Sequence, residues 1–155
     1  MKLKTKAFGE IEISEKQRIT FKSGLFGFED MHEFALLDTN GESPFYWLQS
    51  ESIFNIAFVL IDPKLIIKDY TVTLNNDDKK ELELADENDL LVFSIVTINE
   101  NPMESTINLL GPIVINKKNR NAHYTEFTDY FILHSSFLSS CSSCLSWFNP
   151  FNPRN

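Results

Sequence analysis

The sequence predicts an all-β fold, a small antiparallel β-barrel-like domain with one or two short helices. Three observations lead there. Apolar residues recur mainly at every second position, as in Leu3, Ile11 and Ile13, with Thr5 in phase with Leu3. Short runs rich in Val, Ile, Phe and Tyr are separated at regular intervals by Gly, Pro, Asn and Asp. Only residues 29–34 and 75–86 suit a helix, and each leaves room for a turn or two.

Taken in order, residues 3–13 alternate apolar and charged side chains on either side of Phe8-Gly9, which is the pattern of a hairpin with one wet face. Residues 18–21 form a further short strand. Gly24 and Gly27 flank Leu25 and Phe26, and each can take a positive φ, so a tight turn closing over the core is expected. Residues 29–34 suit one helical turn. Strands are expected over residues 34–37, 45–49 and 54–61, separated by Asn40-Gly41 and ended by Asp62-Pro63. Tyr70, Val72 and Leu74 point one way and Thr71 and Thr73 the other, as in a half-buried strand. Asn75, Asn76, Asp77 and Asp78 open a helix, because short polar side chains cap free amides and carboxylates suit the positive end of the dipole. Residues 90–98 are apolar nearly throughout, which suits a central strand covered on both sides, and Asn101-Pro102 ends it. Residues 107–110 and 113–116, split by Gly111-Pro112, form a paired or bulged strand.

With 155 residues, 43% of them hydrophobic and 14 of them Phe, the chain holds enough apolar surface for one well-buried domain. That domain is expected over residues 1–134. Residues 135–155 are rich in Ser and aromatics without a clear period and are expected to form an irregular, aggregation-prone tail. Two cysteines, Cys141 and Cys144, lie too close together to staple a fold. No apolar run approaches the roughly 20 residues of a membrane span, so a cytoplasmic, membrane-free protein is expected. The net charge of -8 is unevenly placed: residues 29–104 carry four basic and seventeen acidic side chains. A surface of that sign repels phosphate backbones and favours a basic protein partner over direct contact with nucleic acid.

Catalytic and metal signatures are thin. The Cys141/Cys144 pair has no second CxxC to complete a structural zinc site, and His123 and His134 do not stand at zinc-finger spacing. Glu29, Asp30, His32 and Glu33 cluster in sequence, but successive residues of a helical turn point in different directions. A small β-barrel metal protein or enzyme built on Glu29, Asp30, His32 or the cysteine pair is the alternative to a binding protein. The run from Asp77 to Asp89 lacks the glycine and spacing of a calcium loop; it is either a wet helix or an electrostatic docking surface. In residues 43–50 (SPFYWLQS), Phe45, Trp47 and Gln49 share one face and Tyr46, Leu48 and Ser50 the other. Large apolar groups on both faces mean either a central strand or an exposed aromatic contact row.

Residues 24–29 (GLFGFE), 43–50 (SPFYWLQS), 57–63 (AFVLIDP), 95–97 (IVT) and 108–116 (NLLGPIVIN) occur in the order and approximate spacing of the flagellar assembly factor FliW family. The chain resembles that family over residues 1 to 120, after which residues 121–144 match nothing in its pattern and leave the barrel's closing strand in question. The resemblance implies a non-enzymatic regulator without cofactor or metal, monomeric when free. It also implies two alternative partners: flagellin, and the RNA-binding repressor CsrA, whose capture relieves repression of flagellin translation. The candidate contact residues are then Phe45, Trp47, Gln49, Asp77, Asp78, Glu81, Glu83 and Asn108.

Overall fold

The computed structural model describes residues 1–125 apart from Asn40 and Glu42. The hairpin predicted first is β1 (Lys2–Thr5) and β2 (Gly9–Glu12), a separate two-stranded sheet. The remaining strands are β3 (Arg18–Phe21), β4 (Glu33–Asp38), β5 (Phe45–Ser50), β6 (Ala57–Ile61), β7 (Leu90–Thr97), β8 (Thr106–Ile107), β9 (Ile113–Asn116) and β10 (Asn121–Tyr124). Among the described residues one α-helix, α1 (Asn76–Glu81), lies between β6 and β7. The order β6-β5-β4-β3-β10-β9-β7 is closed by pairing of β6 with β7, which makes a seven-stranded barrel. Seven strands that alternate in direction cannot close without one parallel seam. That seam is β3 with β10, where Thr20 faces Asn121 and Phe21 faces Ala122. β8 extends one edge of β7 beyond β9, so residues 106–116 are a bulged strand rather than a pair.

Alternation explains the core. Every second residue of each barrel strand points inward, including Ile19, Phe21, Phe34, Leu48, Leu60, Phe93, Ile113, Ile115 and Ala122. Part of the outer face is apolar too, and two other segments cover it. The β1–β2 hairpin lays Leu3 and Ile13 over Ala35 and Leu37 of β4, with Trp47 of β5 at their side. Residues 62–74 cross β5, β6 and β7 and seat Tyr70 beside Phe45, Val59, Ile61 and Val96. The Tyr70 hydroxyl donates to the Leu109 carbonyl at 2.6 Å.

Four local expectations change. Residues 29–34 form a turn and the start of β4 rather than a helical turn, because Phe34 must enter the barrel opposite Ile19. Residues 70–74 keep the expected alternation of burial, yet they run over the outer wall without joining the sheet. The closing strand left in question after Arg120 is present as β10. β6 also begins at Ala57 rather than residue 54, since Gln49 takes the carbonyls of Phe54 and Ile56. The expected tail, with Cys141, Cys144 and His134, lies outside the described residues.

Topology gathers particular loops at one end of the barrel. β3, β5, β7 and β10 finish there, so residues 22–32, 51–56 and 98–105 surround that mouth. Gly24 and Gly27 take the positive φ values expected, +74° and +80°. At Gly24 a side chain would in addition overlap the backbone of Glu29, so only glycine fits.

Candidate functional site

The acidic run is built around α1. The Asn75 side chain accepts from the amides of Asp77 and Asp78, and Asp78 accepts from the Asn75 amide in return. This fixes Asp78 and Glu81 on one helix face, since they are three residues apart. That face meets β10. His123 stands on the barrel's outer wall with Nε2 3.2 Å from Asp78 and Nδ1 3.2 Å from Glu81. Burial alone would raise the Glu81 carboxyl, but bonds from Ser23 and the bond and charge of His123 outweigh it and hold Glu81 below the usual range.

Most of the rest of the run is paired as well. Glu83 meets Lys22 at 2.6 Å, and that bond and charge keep its carboxyl low. Glu87 meets Lys79 at 2.7 Å, and Asp77 meets Lys80 at 3.5 Å. Asp89 is bonded by Lys118 and, at 3.2 Å, by Lys117; the Lys118 bond foremost holds it below the usual range and raises Lys118 in turn. Among the predicted contact carboxylates, Asp78 and Glu81 therefore face inward, Glu83 is tied to β3's end, and Asp77 alone points fully outward, with a side chain 91% exposed. The densest charge run of the sequence carries its own counterions in the fold.

The β5 candidates are structural in their surroundings. Phe45 is buried beneath residues 62–74, and Trp47 is half-buried between that strap and the hairpin, edge-on to Phe8 at 5.8 Å. Gln49 is 1% exposed. Its amide nitrogen lies within 3.0–3.1 Å of the Ser50, Phe54 and Ile56 carbonyls, and its oxygen accepts from the Lys6 amide at 2.9 Å. Of the two readings of this strand, the covered central one describes Phe45 and Gln49. Asn108 shapes the bulge: its oxygen accepts from the Leu110 and Gly111 amides, and its nitrogen donates to the Tyr124 hydroxyl at 3.3 Å.

The sequence cluster at residues 29–33 does not converge. Glu29 accepts from the Gly27 amide, a bond that lowers its carboxyl, while His32 Nδ1 donates to the Phe21 carbonyl and Glu33 takes the Thr20 hydroxyl. Among the described residues no three His, Cys, Asp or Glu side chains are grouped to hold a metal ion. No described helix is long and apolar enough to cross a membrane.

The feature that sequence reasoning passed over is the barrel mouth. The turn at residues 24–28 does close over the core, but only through Leu25; Phe26 is 65% exposed and Phe28 also faces out. Phe26 stacks on Tyr124 at 5.6 Å, and Phe28 meets Phe58 edge-on at 5.2 Å, so both rings are held in place. Ile53 and Phe54 on the next loop, and Ile98 and Met103 on the β7–β8 connection, are exposed at the same end. The paired glycines were the available signal, since the turn they make sends consecutive apolar residues to opposite sides.

These features define a small closed β-barrel of seven strands. The FliW protein family matches residues 2–125, and the chain belongs to that family. The flagellar assembly factor FliW of Treponema denticola is 43% identical over 129 residues, 83% of this chain and 87% of its own. That of Caldanaerobacter subterraneus subsp. tengcongensis is 44% identical over 120 residues, 77% and 80% of the two chains. A crystal structure of the flagellar assembly factor FliW superposes with a TM-score of 0.79 at 32% identity, covering 89% of this chain and 96% of that one. The family correspondence thus runs past Arg120 and includes β10.

Proposed function

We propose that this flagellar assembly factor works in the cytoplasm as a binding protein without cofactor or turnover, holding flagellin and, by exchange of partners, CsrA. Capture of CsrA relieves its repression of flagellin translation. Membership of the FliW family across the whole described domain is the observation that carries this reading. The charge of -8 supports it, because such a chain is repelled by messenger RNA and attracted to a basic RNA-binding protein.

The test is titration of the full chain with purified flagellin and purified CsrA from the same bacterium. Each should bind, flagellin should displace CsrA, and a CsrA-binding RNA should weaken CsrA capture by the factor with which this protein weakens RNA binding, since coupling is reciprocal. Failure of both partners to bind would refute the reading; equal CsrA affinity with and without RNA would refute the coupling.

A further inference from the structure

The exposed apolar side chains gather at the barrel mouth and not on the acidic helix. Among the described residues, six of the nine exposed large hydrophobics, Phe26, Phe28, Ile53 and Phe54 among them, lie on the three mouth loops. Soluble domains seldom gather exposed aromatics in this way without a partner for them. The turn that carries Phe26 and Phe28 is also braced by its own backbone. Gly24 is pressed against Glu29, the Phe28 amide donates to the Leu25 carbonyl at 2.6 Å, and the Met31 amide donates to the Phe28 carbonyl at 2.9 Å. Rings held in place lose little freedom on binding, and such anchors carry most of the energy of an interface.

The charge around these rings identifies the occupant. Residues 22–32, 51–56 and 98–105 contain Glu29, Asp30, Glu51, Glu100 and Glu104 against a single basic side chain, Lys22, which is taken by Glu83 at 2.6 Å. Glu51 is taken by Arg18, at 2.9 and 3.0 Å, whereas Asp30, Glu100 and Glu104 are exposed. An apolar patch rimmed by carboxylates repels anionic lipid and phosphate backbones alike. It suits a protein segment that brings apolar anchors flanked by Lys or Arg. We propose that the mouth formed by residues 22–32, 51–56 and 98–105 receives an apolar, basic-flanked segment of a partner protein. This rests on the reading of the chain as a binding protein and locates the surface that does the binding.

The experiment uses the full chain with two kinds of probe: purified flagellin and CsrA, and a fluorescent amphipathic Leu/Lys peptide beside its Leu/Glu counterpart. The variants are Phe26→Ser with Phe54→Ser, and Asp30→Lys with Glu100→Lys; Glu12→Lys on β2 repeats the charge change away from the mouth. Thermal melts establish that each variant is folded. The Leu/Lys peptide should bind and the Leu/Glu peptide should not. The aromatic pair of substitutions should weaken Leu/Lys peptide and partner binding about tenfold or more. The charge pair should weaken them more at low than at high salt, with Glu12→Lys close to wild type. Partner binding that survives both mouth variants, or that is lost instead in Asp77→Lys, would overturn the proposal while leaving partner exchange intact. Mouth-dependent peptide binding with neither flagellin nor CsrA bound would uphold the surface and refute the named partners. A dimer of the chain that the aromatic substitutions dissolve would also overturn it, because the occupant would then be a second copy.

Discussion

Replacing Gln49 by methionine separates a framework role from a contact role. The amide has two N–H donors facing three carbonyls and one oxygen facing the Lys6 amide, so three hydrogen bonds are in force at a time. At a net value of about 1 kcal/mol each, their loss costs about 3 kcal/mol. Two features reduce it. The Ile56 carbonyl keeps its bond from the Ser50 amide, and Lys6 and Phe54 are exposed enough for water to replace part of what is lost. Methionine fills nearly the same volume, so little cavity is added. Gln49→Met should therefore destabilise the protein by about 2–3 kcal/mol, lowering the melting temperature by about 8–12 °C. Circular dichroism melts and urea titrations measure this directly. Binding of partner at a temperature where both proteins are folded should be unchanged. A loss below about 0.5 kcal/mol would show that the amide is not locked inside. A loss of affinity without a loss of stability would put Gln49 on the contact surface.

Gly24→Ala should cost more than Gly27→Ala, by about 2 kcal/mol in urea unfolding. Both share a positive φ, but only at Gly24 does the added carbon meet backbone; equal costs would remove the close approach as the reason. Gly111→Ala would overlap the Tyr124 ring at the barrel seam and should cost about 1–3 kcal/mol, much of it recovered in a Gly111→Ala/Tyr124→Leu double variant. Additive losses would refute that contact. Glu81, Glu83 and Asp89 all lie lower in the fold than their ordinary values of 4.5, 4.5 and 3.8. The unfolded chain therefore binds more protons through the acid range. The stability from these groups is complete above those ordinary values and is lost as pH falls through the lower folded ones. Melting temperature against pH should fall less steeply on the acid side in a Lys22→Met/Lys118→Met variant, and parallel curves would refute the assignment.

What could be read from the chain beforehand follows from how local each signal is. The hairpin and β3 carry their own alternation, β5, β7 and β9 are runs of β-forming residues bounded by turn signals, and Asn75 through Asp78 carry their own cap, so these elements were legible residue by residue. The pattern of Tyr70, Val72 and Leu74 is the same whether the backbone joins a ladder or merely crosses a wall, because alternation reports which side is buried and not what the amides bond to. Residues 29–34 offered carboxylates suited to a helix start, yet Phe34 is worth more inside the barrel opposite Ile19 than on a solvated turn. β10 is only four residues long, and its place depends on a parallel partner about a hundred positions earlier. Nothing within residues 121–124 announces that pairing.

The site was less legible for a related reason: a charge run shows its own sign but not its counterions. Lys22 lies 61 residues before Glu83, and His123 is contributed by the last strand described. A docking surface inferred from the run over residues 77–89 treats these carboxylates as free, whereas the fold spends most of them on fastening α1, residues 86–89 and the β9–β10 turn to the barrel. The negative bias of residues 29–104 does not vanish with that pairing. It reappears on loops that are too short and too scattered in sequence to look like a patch, each with one or two carboxylates beside one or two exposed apolar side chains. Barrel closure brings those fragments to a single rim. The long-range field that would draw in a basic partner and the aromatic anchors that would hold it consequently share one end of the molecule, and steering and affinity can be altered there by separate substitutions.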